Sequence, residues 1–485
     1  MSLLDPAVWS GRLFVDGWES GGAGEYPVVE PATGASLGTI GAASVDDVRR
    51  AAERASDAQP AWAASPFGER ARVLRRAAAL FGEASEEISG WLVREAGSVP
   101  PKAAFEIASA ESICHEAAAL ASLPYGEVLR SAQPRLSLAR RLPVGVVGVI
   151  APFNVPIVLS LRAVAPALAL GNAVVLKPDP RTAVCGGVVL ARVLEEAGLP
   201  AGLLSVVPGG ADVGEALVAD RRTRVIAFTG STRAGRAVAA ACARHLKRAH
   251  LELGGNSALV VLDDVDLERA ASVGAWGSFF HQGQVCMTAE RHLVASSIAE
   301  QYTSLLAKHA EALPVGDPAT GQVALGPIID SAQRDKVHSI VTESVAEGAR
   351  LVTGGTYEGL FYRPTVLADV PTTSRAFTEE IFGPVAPVVA FDSLDEAASL
   401  AADTPYGLSL GILTRDVSKA LALAERIPSG AVHVNDQTIN DEMVNPFGGI
   451  GDSGIGRVGG PQANLESFTE VQWVTIRGEL PSYPF

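Results

Sequence analysis

The hydrophobic positions of the chain form short apolar runs that alternate with longer amphipathic stretches. Five of these runs are predicted to be buried strands, and they lie at 144–150, 173–176, 204–207, 225–228 and 249–253. Helical periodicity fills the intervals, at 157–170, 182–197, 211–218 and 232–244. Strands and helices that alternate in this way predict a doubly wound parallel sheet with ligands at the carboxyl ends of its strands.

A second alternating set begins with the apolar run at 258–261 and continues to about residue 435. It contains a strand pattern at 385–391 and helical patterns at 267–280, 331–347 and 418–427. The predicted fold class is therefore α/β, with two doubly wound parallel-sheet domains and a cleft between them.

Smaller elements surround these two sets. Residues 11–40 alternate short apolar runs with Gly and Pro turns and predict short strands. Ser44 is predicted to cap a helix that ends near residue 58, and a second amphipathic helix is predicted at 69–81. Period-two segments on either side of Gln133-Pro134 predict a β-hairpin that projects from the body, and the tail at 470–477 is again a strand pattern.

Composition narrows the class of partner. The chain has 485 residues, 48% hydrophobic and 19% charged, with a formal net charge of −15, which is typical of a globular protein of several domains. An acidic chain disfavours nucleic acids and anionic membranes, so small molecules are the expected partners. Pro152, Pro156 and Arg162 interrupt the longest apolar region, and we expect no membrane-spanning segment there.

The four cysteines are widely spaced, without a Cys-x-x-Cys pair, which indicates neither a zinc site nor a disulfide framework. We therefore expect no metal and a cytoplasmic location. The N-terminus lacks the basic and apolar segments of a signal peptide.

Chemistry concentrates between residues 251 and 287. Glu252 lies between apolar residues and precedes Gly254-Gly255, and Cys286 follows Gly283-Gln284. A carboxylate base and a thiol nucleophile at the two ends of one segment would suit covalent acyl chemistry. Taken alone, Cys286 is more often a small buried hydrophobe, and Glu252 a core acid paired with a basic neighbour.

Three further positions are candidates for ligand contacts. Gly230 and Ser231 follow a strand and begin a helix, where they could bind a phosphate or simply cap the helix. Lys177 ends a strand, where it could reach a ribose or a phosphate or be solvated. Asn154 lies between two prolines and could donate to an oxyanion or be a turn residue. The Gly-x-Gly-x-x-Gly matches at 449–459 lack a βαβ context and are rejected as Rossmann fingerprints.

Together these motifs identify a family. The chain resembles the NAD(P)-dependent aldehyde dehydrogenase superfamily over nearly its whole length. The matching motifs are Pro152-Phe153-Asn154, Lys177-Pro178, Phe228-Thr229-Gly230-Ser231-Thr232, Leu251-Glu252-Leu253-Gly254-Gly255-Asn256, Gly283-Gln284-Val285-Cys286, Glu379-Glu380-Ile381-Phe382-Gly383-Pro384 and Pro446-Phe447-Gly448-Gly449 with Gly456-Arg457.

The resemblance implies a role for each matching residue. Cys286 would attack the aldehyde, Asn154 would bind the resulting oxyanion, and Glu252 would activate the water that hydrolyses the thioester. The implied cofactor contacts are Phe153, Lys177, Gly230, Ser231, Glu380 and Phe382.

The resemblance also implies how the chain is divided. Residues 1–122 and 142–252 would form the dinucleotide-binding domain, and residues 253–464 the catalytic domain. Residues 123–141 and 465–485 would be the segments that form a homodimer or a homotetramer.

Two features leave the cofactor open between NAD, which we expect, and NADP. Many NAD-specific members carry a glutamate three residues after the lysine, but this chain has Pro180 there. The next residue, Arg181, could face a 2′-phosphate. The acid that many members place after the C-terminal Gly-Arg is here Val458, so a proton relay through that acid is not expected.

The segments at 279–282 and 433–442 resemble the benzaldehyde and vanillin dehydrogenase branch, which implies an aromatic aldehyde as substrate. Its pocket is predicted to include Val155, Leu159, Arg162 and Phe447. Arg162 could favour ring hydroxyls or an acidic substituent, or it could form a salt bridge with a neighbouring helix. The alternatives are a semialdehyde or aliphatic aldehyde dehydrogenase, acylating or not, and a catalytically silent relative.

Overall fold

An eight-stranded sheet forms the first half of the protein, in a computed structural model that describes residues 2–485. The five predicted strands are its centre, and all four of their pairings are parallel. Antiparallel strands close both edges. In spatial order the strands are Trp18–Ser20, Arg12–Phe14, Leu204–Val206, Ala173–Lys177, Val146–Ile150, Thr223–Thr229, Arg248–Glu252 and Gly454–Ile455.

Helices cover both faces of this sheet, and a ribbon of Glu25–Val29 and Ser36–Gly41 lies beside it. The helices are Pro6–Trp9, Val45–Ala64, Phe67–Glu83, Ser85–Ala96, Pro100–Leu120, Pro156–Ala169, Val189–Glu196, Ala211–Ala219 and Thr232–Arg244.

Two helical segments of the first half differ most from their predicted bounds. Ser44 caps the first as expected, in a capping box with Asp47, but the helix continues past Pro60 to Ala64. It continues because Trp62 is buried there, with its indole N–H donating to the carbonyl of Leu168 at 2.8 Å.

The segment predicted as one helix at 182–197 is divided. A 3₁₀ turn at Pro180–Thr182 and a π-helical turn at Val184–Val188 precede the α-helix Val189–Glu196. The buried carboxylate of Glu95 accepts the backbone N–H groups of Val184 and Cys185, and so caps the divided segment. Burial raises the pKa of Glu95 to about 7.

The second half contains a seven-stranded sheet, parallel except for one edge strand. In spatial order its strands are Arg350–Thr353, Thr365–Ala368, Val385–Phe391, Ala289–Ala295, Ser257–Val261, Ser409–Leu413 and Ala431–Val434. Its helices and turns are Leu267–Phe279, Phe280–Gly283, Ala299–Ala312, Ser331–Ala346, Arg375–Thr378, Leu394–Ala402, Val417–Ala424, Gly451–Ser453 and Pro461–Phe468, with a small ribbon of Tyr357–Glu358 and Phe361–Tyr362.

Alternate residues of the central strand Ser257–Val261 are buried in two different hydrophobic clusters. Ala258 and Val260 pack into one cluster, while Leu259 and Val261 pack into a second cluster on the other face. Both faces are therefore apolar, which explains why this strand is a continuous hydrophobic run in the sequence. The α/β class with two parallel-sheet domains is confirmed.

The predicted hairpin and tail strand pair with each other. Gly126–Leu129 and Leu136–Pro143 form the hairpin, and Thr469–Ile476 adds to it antiparallel over eight residues. None of the helices in residues 2–485 combines the length and the apolar character that crossing a bilayer requires.

Candidate active site

Cys286 lies in a tight loop before the strand Ala289–Ala295. His281, Gln282 and Gly283 all have φ between 49° and 66°, a left-handed run that non-glycine residues adopt only under strain. Gly283 is required at its position, since a Cβ there would lie 2.1 Å from the carbonyl oxygen of Gly383. The other three cysteines are buried, and Cys286 is the one with partial access.

The electrostatics of the loop keep the thiol protonated. Burial raises the pKa of Cys286 well above its usual range, and the negative charges of Glu380 and Glu252 add to this effect. These surroundings therefore favour the thiol over the thiolate.

Asn154 reaches this loop from the first domain. Its side-chain amide donates to the carbonyl of Gln284 at 2.9 Å, two residues before the thiol. The backbone carbonyl of Asn154 accepts from the ammonium of Lys102 at 3.0 Å. Cys286 and Asn154 both line the same large cavity.

The sequence did not predict the buried pair that supports Asn154. Lys102 and Glu106 form an ion pair in the helix Pro100–Leu120, and both are almost fully buried. The second carboxylate oxygen of Glu106 accepts the N–H of Ile157 at 2.8 Å, at the start of the next helix. In an alanine-rich helix, Lys and Glu four residues apart are typical of an exposed pair, so only the packing indicates this role.

Glu252 is the last residue of the strand Arg248–Glu252, and its carboxylate is buried. Burial raises its pKa, while His250, Arg162 and Arg457 oppose that rise. Its backbone is held at the sheet edge by pairing with Gly454.

The large cavity measures about 920 Å³ and follows the carboxyl ends of the parallel strands. Lys177, Gly230, Ser231, Glu380 and Phe382 all line it, as does Phe153. One end lies between the helices Ala211–Ala219 and Thr232–Arg244, and the other end reaches Cys286. The site thus brings the predicted thiol and all the predicted cofactor contacts to one groove.

Individual contacts fix the groove walls. Ser231 caps the helix Thr232–Arg244, accepting from Ala234 N–H at 3.4 Å. Glu380 accepts the N–H of Gly255 at 3.1 Å. Phe153 and Phe382 meet edge to face at 5.9 Å between ring centres.

Arg181 is neutralised by two carboxylates. Its guanidinium bonds Asp179 at 2.8 Å and Asp330 at 2.7 Å. It also stacks on Phe153, with 4.2 Å from Cζ to the ring centre. Burial lowers the pKa of nearby Lys177, and Asp179 opposes this effect.

The predicted substrate residues divide into two groups. Phe447 and Arg162 lie together, with 4.8 Å from the guanidinium to the ring centre, and Leu159 lines both the groove and a small cavity beside it. Val155 lines neither cavity, and its half-buried side chain packs against the first core instead. Arg162 does form a salt bridge, at 2.7 Å, but its partner Asp441 lies in a loop rather than in a helix.

An apolar cluster lies beside the thiol. Phe447 packs in it with Val285, Met287, Leu408 and Val458, and Phe280, Ile439 and Cys286 pack against it. Phe280 and Ile439 lie in the two segments that resemble the aromatic branch, but their spacing gave no means of placing them beside Cys286.

Comparisons with known proteins agree with this geometry. The model of the aldehyde dehydrogenase family matches residues 18–474. The chain is 63% identical to a vanillin dehydrogenase from Amycolatopsis sp., covering 100% of both chains. It is 49% identical to a benzaldehyde dehydrogenase [NAD(+)] from Pseudomonas putida, covering 99% of this chain and 98% of the relative.

A solved structure is also similar over nearly the full length. A salicylaldehyde dehydrogenase from Pseudomonas putida G7, complexed with salicylaldehyde, superposes with a TM-score of 0.94 at 34% identity. The alignment covers 98% of this chain and 99% of that one. The chain belongs to the aldehyde dehydrogenase family.

Proposed function

We propose that this NAD(P)-dependent aldehyde dehydrogenase oxidises aromatic aldehydes, of the benzaldehyde and vanillin type, to carboxylic acids. The observation that carries the proposal is the position of Cys286, where the long groove meets a cluster containing Phe280, Phe447 and Ile439. Aromatic rings bind well in a pocket of this composition. The relatives named for vanillin, benzaldehyde and salicylaldehyde support the same substrate class.

The residues of the groove fit a nicotinamide dinucleotide. A buried ammonium (Lys177), a hydroxyl at the positive end of a 13-residue helix (Ser231) and a carboxylate near the thiol (Glu380) are the donors and acceptors that phosphates and riboses require. When bound there, the dinucleotide supplies the hydride acceptor.

NAD is the preferred form. Asp179 lines the groove beside Lys177, and its carboxylate would repel a 2′-phosphate. Arg181, the residue that could have attracted one, is already paired with Asp179 and Asp330. Activity with NADP that equals or exceeds activity with NAD would overturn this preference.

In the first half of the reaction, the Cys286 sulfur bonds to the aldehyde carbon as the thiol proton passes to water. The carbonyl oxygen becomes an oxyanion, which the amide of Asn154 and the backbone N–H of Cys286 stabilise. Asn154 is placed for this role because Lys102 and Gln284 hold it from two sides. Oxidation of the bound carbon leaves a thioester on Cys286.

In the second half, Glu252 takes a proton from a water that attacks the thioester carbon. The carbon–sulfur bond breaks, and the carboxylic acid and the Cys286 thiolate are released. A buried carboxyl group with a raised pKa is a suitable base near neutral pH. An intact Glu252 favours water over coenzyme A as the acceptor.

The three-stranded sheet is the assembly surface of a homodimer or a homotetramer. Val471 and Trp473 on its long strand are both 62% exposed, which is unusual for large apolar side chains.

The functional division of the chain is the one predicted from the sequence. It consists of a dinucleotide-binding domain (1–122 and 142–252) and a catalytic domain (253–464), from which the strand Gly454–Ile455 crosses to the first sheet. All four cysteines are free thiols, which supports a cytoplasmic enzyme.

A panel of aromatic and aliphatic aldehydes, each assayed with NAD and with NADP, tests the proposal. We expect the highest kcat/KM for aromatic aldehydes, no dependence on coenzyme A and no turnover by Cys286→Ser. Equal or better turnover of short aliphatic aldehydes or semialdehydes would refute the substrate class. Activity near wild type in Cys286→Ser would refute the nucleophile.

A further inference from the structure

A second cavity, of about 20 Å³, lies beside the groove, and polar side chains converge on it. Arg162, His250 and Glu252 line it. Leu159 and Thr229 line both this cavity and the groove, so they separate the two. We call this second cavity the Glu252 pocket.

Four polar atoms in the Glu252 pocket are buried without a hydrogen bond to any part of residues 2–485. They are Nε of Arg162, Nε2 of His250 and both carboxylate oxygens of Glu252. Buried polar groups in native proteins are almost always hydrogen-bonded, so these four atoms mark the small cavity as a polar site. The volume has room for about one water molecule, which could bond to several of these atoms at once.

His250 faces Glu252 along the same strand. Residues two apart on a strand project to the same side, and here Nε2 of His250 lies 3.2 Å from Oε1 of Glu252. This is an ion-pair distance, although the ring N–H does not point directly at the oxygen. Gly456 packs against the imidazole, and a Cβ at Gly456 would lie 2.4 Å from Nδ1.

We propose that His250 is a positioning residue for Glu252. Together with Arg162, His250 keeps the Glu252 carboxylate ionised and in place in the Glu252 pocket between catalytic cycles. This inference rests on the proposed role of Glu252 as the base that activates water. His250 thereby contributes to a site in which Val458 occupies the position of the acid that many family members carry.

The basic side chains around Glu252 all favour its ionised form. His250 contacts it from its own strand, Arg162 faces it from the helix Pro156–Ala169, and Arg457 faces it from the loop after Gly454–Ile455. Asp441 binds Nη2 of Arg162 at 2.7 Å, so it reduces the net positive charge of that guanidinium. Burial acts in the opposite direction and raises the pKa of Glu252.

Replacing His250 separates its role from that of the nucleophile. His250→Leu removes the Nε2 group, whereas His250→Gln places an amide N–H₂ near the same position. Pre-steady-state formation of reduced dinucleotide reports the steps through the thioester, and steady-state turnover includes hydrolysis. Both are measured as functions of pH, together with the thermal unfolding of each variant.

We expect His250→Leu to retain the first turnover and to lose steady-state activity at low pH. The acid limb of its kcat profile should move upward by about one pH unit or more, since one interaction with a charged group is lost. His250→Gln should restore the limb toward the wild-type position. If His250→Leu does not fold, His250→Asn replaces it, because its shorter amide does not reach Glu252.

An unmoved acid limb in a folded His250→Leu or His250→Asn enzyme would overturn the inference. A His250→Gln profile that matches the Leu profile would also overturn it, since shape rather than the donor would then be responsible. Failure of the proposed function is distinguishable: the wild-type enzyme would then form no reduced dinucleotide, or Cys286→Ser would form it normally.

Discussion

The buried ion pair beneath Asn154 gives the most direct test of how the scaffold supports catalysis. Lys102→Met removes the ammonium that binds both Glu106 and the backbone carbonyl of Asn154. Methionine has a similar length and no charge, so the cavity stays filled. One carboxylate oxygen of Glu106 keeps its bond to the N–H of Ile157, but the other loses its ammonium partner.

The expected cost follows from burial. Lys102 and Glu106 are almost fully buried, and removing one partner of such a pair destabilises a protein by about 3–5 kcal/mol. The double variant Lys102→Met/Glu106→Gln removes both charges and keeps an acceptor for Ile157. It should therefore be more stable than Lys102→Met alone.

Catalysis should fall as well. Without its anchor, the Asn154 amide is less precisely placed for the oxyanion, and kcat should drop by up to about 100-fold, the loss caused by deleting an oxyanion donor outright. The double variant should regain stability without regaining kcat, because neither change restores the bond to the carbonyl of Asn154.

Urea unfolding at one fixed protein concentration measures the stability, and initial rates under conditions that keep each variant folded measure kcat. Lys308→Met, at an exposed position of another helix, is the matched control and should change neither. If Lys102→Met lowers the free energy of unfolding by less than about 1 kcal/mol and leaves kcat unchanged, the reasoning is refuted.

Three further changes address other parts of the molecule. Asp179→Ser should raise kcat/KM with NADP relative to NAD by about 10-fold or more, since a carboxylate is removed and Arg181 keeps only Asp330; an unchanged ratio would count against the cofactor assignment. The folded-state pKa of Glu95 is about 7, above the unfolded value, so its contribution to stability is complete at low pH and is lost as pH rises through 7. Glu95→Gln should flatten that part of the stability–pH curve in urea titrations, and a slope like that of the wild type would be evidence against a raised pKa. Trp473→Glu, on the exposed strand, should lower the oligomeric mass measured by light scattering, whereas a wild-type mass would place the interface elsewhere.

The sequence predicted the sheets well because their central strands are buried on both faces. Such strands appear as apolar runs, and the five predicted runs overlap the parallel strands of the first sheet. Helix ends were less predictable: the first long helix was predicted to end near residue 58, but it continues past Pro60 to Ala64, where Trp62 is buried. Tertiary packing decided the outcome, and no local pattern carries that information.

The same limit applies to the site. The motifs with Cys286 and Glu252 could be located from sequence, because residue type and order carry the resemblance. Lys102 could not, since its neighbours give no sign that the helix is buried under Asn154. The position of His250 beside Glu252 follows from their spacing of two residues on one strand. The position of Arg162 does not, because it reaches the same cavity from a helix far earlier in the chain.

The edge pairing of Glu252 has a consequence for synthesis on the ribosome. The strand Arg248–Glu252 gains its last neighbour from Gly454–Ile455, about 200 residues downstream. A nascent chain that already carries both Glu252 and Cys286 therefore lacks the strand that completes this edge until translation is almost finished. Chains truncated before Gly454 should consequently be inactive. Their unpaired strand edge should also make them prone to aggregation and to degradation.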